Sequence, residues 1–158
     1  MGLMLALASA LQFLESLIPI PLPRGVKPGI SSIVVMVVLV KFGFASAMTL
    51  AVLKSGFVFI TRGATAFCMS VSGGVLSVAV MGAFFAVSRK TKNGTGILLM
   101  SVLGGVSHNM GQLAAAAVFT GSALTFSYMP VLVISGLVSG MFTGTVFKFI
   151  LPHLTVDR

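Results

Sequence analysis

The sequence predicts an all-α integral membrane protein, a single bundle of six transmembrane helices, and three observations carry that prediction. Only 8% of the 158 residues are charged, whereas 57% are hydrophobic. A soluble domain has about 25% charged residues, so a water-exposed surface cannot be built here and lipid must cover most of the chain. The mean hydropathy, +1.14, agrees. The apolar residues also form successive stretches separated by Pro-, Gly- and Lys/Arg-bearing breaks. At ~20 residues per span plus short loops, this length has room for about six helices, so residues 1–158 read as one transmembrane domain.

The first apolar stretch runs from Gly2 to Ile18. Ala8-Ser9-Ala10 resembles a signal-peptide cleavage site, but no basic residue precedes it and the apolar run continues past it, so a retained first helix is expected. The segment from Pro19 to Gly29 holds four prolines and two glycines besides Arg24 and Lys27, and it cannot be helical. The second stretch, Ile30 to Phe42, is short for a span and must tilt little or be capped by protein. Gly43 breaks it. The third runs from Phe44 to Ile60 and stops at Thr61-Arg62-Gly63. The fourth covers Ala66 to Ser88, before the polar turn Arg89-Lys90-Thr91-Lys92-Asn93-Gly94. The fifth runs from Ile97 to Phe119 and the sixth from Met129 to Ile150.

The net charge of +8 is spread singly between apolar stretches, a pattern that sets membrane orientation and is not a nucleic-acid footprint. Six spans put both termini on one side, together with Lys41, Arg89, Lys90, Lys92, Lys148 and Arg158. Arg24, Lys27 and Arg62 fall on the other. The excess of cations places the termini in the cytoplasm.

Small residues recur at helical spacing: Gly2, Ala6 and Ala10; Ala47, Ala51 and Ser55; Ser70, Gly73, Gly74 and Ser77; Gly136, Gly140 and Gly144. Such faces let helix backbones approach closely in lipid. They serve either internal packing or, on the first and third helices, the docking of a partner.

Polar groups inside a membrane are costly and need a partner or a task. Glu15 and Lys54 have similar depths at ~1.5 Å per residue; they form a structural ion pair or take part in binding. Ser107, His108, Asn109 and Gln112 form the densest polar cluster, and His108 and Gln112 share a face with Ser101, Gly104, Gly105 and Ala115. That face either hydrogen-bonds neighbouring helices or lines a cavity. Arg24, Lys27, Arg62 and Lys54 against one buried carboxylate imply a positive outer cavity suited to an anionic ligand, or else contacts to lipid phosphates.

Several chemistries are excluded. The chain has no G-x-x-x-x-G-K phosphate loop. Its acids are Glu15 and Asp157, too few to hold magnesium on a diphosphate. It has no Ser-His-Asp or Cys-His set with an orienting acid, and its lone Cys68 and distant His153 give no metal site. No autonomous catalysis, cofactor or metal is expected.

The strings Glu15-Ser16-Leu17-Ile18-Pro19, Lys27-Pro28-Gly29-Ile30, Ser70-Val71-Ser72-Gly73-Gly74-Val75-Leu76-Ser77, Gly104-Gly105-Val106-Ser107-His108-Asn109-Met110-Gly111-Gln112 and Met129-Pro130-Val131-Leu132 with Ser135-Gly136 occur in that order. Together they resemble the Gx transporter family, also known as heptaprenyl diphosphate synthase component I. The sequence departs from that pattern at Ser32, where Asn is common, and at Lys54, where Arg is common. The resemblance implies a relation to the substrate-binding S components of energy-coupling-factor (ECF) vitamin transporters: a six-helix bundle in a bacterial plasma membrane with cytoplasmic termini. It implies a ligand site near the outer face involving Arg24, Lys27, Ser32, Lys54, Arg62, His108, Asn109 and Gln112. It also implies docking to a transmembrane coupling subunit and its ATPases through Gly2, Ala6, Ala10, Ala47, Ala51 and Ser55. The alternative is a non-catalytic accessory subunit in isoprenoid-quinone synthesis or a membrane redox assembly.

Overall fold

The computed structural model describes residues 1–17, 29–88 and 95–153. Six α-helices lie among them: α1 (Gly2–Leu17), α2 (Ser31–Phe42), α3 (Phe44–Arg62), α4 (Ala64–Ser88), α5 (Thr95–Thr120) and α6 (Met129–Ile150), with short 3₁₀ turns at Ala123–Tyr128 and Leu151–His153. The Pro-rich first loop and the Arg89–Gly94 turn expected from the sequence lie outside the described residues. On length and composition α3, α4 and the segment Leu124–Ile150 can cross a membrane, while Gly2–Glu15 and Ser31–Phe42 are shorter apolar helices.

Single glycines make the two tightest connections. Gly43 joins α2 to α3 with φ 85° and ψ 179°, and Gly63 joins α3 to α4 with φ 84° and ψ −178°. That region of backbone space is open essentially to glycine alone. Each glycine carbonyl then accepts the first bond of the next helix, from Ala47 N and Phe67 N, both at 3.1 Å.

The core forms around α2. Every residue from Ile33 to Leu39 is buried, so the middle of this helix has no exposed side. A helix that is apolar all round belongs inside, and α1, α3, α4 and α6 all touch it. Of the two accommodations open to so short a stretch, enclosure by protein is the one seen. The periphery is the reverse of a soluble protein's: Leu3, Ile60 and Val118 are about 80% exposed, at 79%, 81% and 80%. An outer surface of large apolar side chains suits acyl chains, not water.

α4, α5 and α6 pack backbone to backbone. A methyl on Gly73 would lie 2.7 Å from the His108 carbonyl oxygen, and one on Gly140 would lie 2.6 Å from Val102 Cα. The stripes on α4 and α6 are therefore packing faces. The α3 stripe corrects an expectation. Ala47, Ala51 and Ser55 are 0–1% exposed: Ala51 packs on Gly74, and the Ser55 hydroxyl meets Ser70 Oγ at 3.0 Å. The interior already occupies that face, so it offers nothing to a partner. Gly2, Ala6 and Ala10 on α1 are exposed.

Candidate functional site: a polar cavity between five elements

Polar side chains from several of the apolar helices meet at one place. Gln12 and Glu15 of α1, Gly29 with Ser31 and Ser32 at the start of α2, Lys54 of α3, Gly105, His108, Asn109 and Gln112 of α5, and Ser139 of α6 line a cavity of about 40 Å³. The α5 residues are spaced three, four and seven apart, so one helical face looks into it. Gly105 fits that face because α6 passes close behind it; a methyl there would lie 2.6 Å from the Gly136 carbonyl oxygen.

Glu15 and Lys54 are both buried, at 6% and 4% exposure, and Ser31 links them. Its backbone N–H donates to Glu15 Oε1 at 2.9 Å, and its hydroxyl accepts from Lys54 Nζ at 3.3 Å. The residue capping α2, Ile30, offers no side-chain cap. Glu15 therefore supplies from another helix the acceptor that an N-terminal amide needs, where the helix dipole also favours a negative charge.

On α5, Gln112 Nε2 meets His108 Nε2 at 3.1 Å. An amide nitrogen only donates, so His108 Nε2 is the acceptor in this contact. Asn109 is 7% exposed, and its Nδ2 donates to the Leu132 carbonyl of α6 at 2.8 Å. It therefore tethers two helices as well as lining the cavity. Gln12 Oε1 is buried and has no hydrogen-bond partner among the described residues.

The structure thus brings together Glu15, Ser32, Lys54, His108, Asn109 and Gln112. Arg62 is exposed at the end of α3 and does not line the cavity. Arg24 and Lys27 lie outside the described residues. The positive cavity expected from four cations reduces, among the described residues, to one acid and one ammonium. Its volume differs from expectation too. About 40 Å³ admits a very few waters, whereas pockets for cofactor-sized molecules run to hundreds of cubic ångströms. Sequence reasoning missed Gln12, Ser31 and Ser139. Gln12 carried a signal, since it sits one turn before Glu15 in an apolar helix. Among the described residues no three His, Cys, Asp or Glu side chains gather as a metal site would need.

A helical bundle with an apolar surface, whose described residues enclose a small polar cavity, defines a membrane protein. Its family is shown directly: the model described as heptaprenyl diphosphate synthase component I matches residues 4–150, and the chain belongs to that family. Comparison with curated proteins and with solved structures finds no match.

Proposed function

We propose that this chain is a non-catalytic membrane subunit that receives a small polar molecule with an anionic group in the cavity and works with a partner complex. One observation carries the reading: polar side chains from five elements, the buried Glu15, Ser31, Lys54 and Asn109 among them, line one cavity. Buried polar groups in lipid are retained where they bind or conduct something. Lys54 is the group suited to the anion. A ligand larger than a few waters requires the cavity to widen, and Gly29, just before α2, is on its border.

In its specific form the subunit is an S component of an ECF-type uptake transporter, with all six helices in the bacterial plasma membrane and both termini cytoplasmic. The resemblance of its motifs supports this. So does a groove of about 350 Å³ lined by Met1, Gly2, Leu5, Ala45, Ser46, Thr49, Leu50 and Leu53, beside the exposed α1 stripe. A second reading is favoured by the family's description: a component I implies another component, and an accessory subunit of a prenyl diphosphate synthase fits a chain with two acids. Affinity purification from native membranes separates the two. Coupling ATPases in the eluate support the first and a soluble prenyl synthase the second; a chain recovered without either partner overturns both.

A further inference from the structure

The geometry points to a ligand with two chemically distinct ends: an N–H donor edge, of amidine or guanidine type, read by Gln12 and Glu15, and an anionic end taken by Lys54. This rests on the cavity being a ligand site, and it specifies the ligand class. Gln12 and Glu15 are three residues apart on α1, so their side chains lie side by side, and both line the cavity. Gln12 Oε1 is a buried acceptor with no hydrogen-bond partner among the described residues. A carboxylate accepts only, and Glu15 Oε1 takes one bond, from Ser31 N. A carboxylate has about four lone-pair sites, so acceptor capacity remains. The α1 wall therefore asks for donors. Ser31 stands between the charges, its amide on Glu15 and its hydroxyl on Lys54. The cavity consequently has an acceptor pole and a cationic pole. An anion alone would leave the acceptor pole unmet, and a cation alone would lie beside the ammonium.

The test uses the full chain in lipid nanodiscs with guanidinoacetate, acetate and guanidinium as separate probes, followed by melting temperature and equilibrium binding. Guanidinoacetate should stabilise the wild type more than either fragment. Gln12→Leu should weaken guanidinoacetate binding at least about tenfold, equivalent to ~1.4 kcal/mol, and leave acetate unchanged. Without ligand the same variant should melt at the wild-type temperature or a few degrees above it, because it removes a buried acceptor that no described residue satisfies. A lower melting temperature with unchanged guanidinoacetate binding would make Gln12 structural and overturn the inference. If acetate stabilises as well as guanidinoacetate and Gln12→Leu alters neither, the donor edge is wrong while the anion-binding cavity stands. If no probe stabilises the wild type, both fall.

Discussion

Glu15 caps a helix to which it does not belong: its Oε1 accepts the Ser31 amide at 2.9 Å, tying the end of α1 to the start of α2. Glu15→Gln keeps an acceptor at that point, whereas Glu15→Leu removes it. The Leu variant should lose roughly 1 kcal/mol more than the Gln variant, as expected for a lost N-terminal cap. Unfolding of both variants in matched detergent, followed by circular dichroism, measures the difference. Equal losses would mean the cap contributes nothing.

Lys54 should be tolerated or not according to what Glu15 carries. Glu15 and Lys54 are linked through Ser31, and leaving a buried polar group without its partner costs about 1–3 kcal/mol, so Lys54→Met alone should destabilise by about that much. Adding Glu15→Gln to Lys54→Met should recover most of that loss. If Lys54 also holds an anion, stability returns but uptake does not. Wild-type uptake by the double variant would remove Lys54 from binding.

Asn109 and Gln112 should separate. Asn109 bonds the Leu132 carbonyl of α6, whereas Gln112 bonds His108 within its own helix. Asn109→Leu should cost ~0.5–1.5 kcal/mol of stability, the net value of one hydrogen bond. Gln112→Leu should leave the melting temperature nearly unchanged and weaken ligand binding by about tenfold or more. Loss of stability in Gln112→Leu without loss of binding would contradict its place in the site.

The two small-residue stripes should respond oppositely to bulk. Ala51 is 1% exposed, and Ala51→Leu forces extra methylenes against α4, costing about 1–3 kcal/mol. Ala6 and Ala10 are exposed, so Ala6→Leu and Ala10→Leu should fold normally and prevent assembly with a partner that docks on α1. Size-exclusion of the purified variants checks the fold, and copurification checks assembly. Intact assembly with both α1 variants would exclude that face.

The cation count predicts cytoplasmic termini. In a Cys68→Ser background, Asn93→Cys should resist a membrane-impermeant thiol reagent in intact cells, and Pro21→Cys should react. The opposite pattern would reverse the orientation.

Much of this architecture is legible in the sequence because lipid imposes long apolar runs and glycine marks the breaks. Gly43 and Gly63 fall where the chain turns, and the α5 face is readable from spacing alone. The direction in which small residues face is not readable: Ala6 and Ala51 obey the same four-residue rhythm, yet one looks outward and the other is enclosed. Ser31 was invisible for a different reason. Its importance comes from the approach of α1 to the start of α2, a tertiary relation that no local pattern encodes. Arg62 misled because height along a helix says nothing about azimuth.

The enclosed α2 also constrains how the protein is made. Its 12 residues span about 18 Å, well short of a ~30 Å hydrocarbon layer. Its apolar surface is therefore covered by neighbouring helices rather than by a matched thickness of lipid. One of those neighbours is α6, the last long helix synthesised. A chain cut short before Met129 would lack one of the helices that cover α2 and would leave uncovered an apolar surface that the full bundle hides.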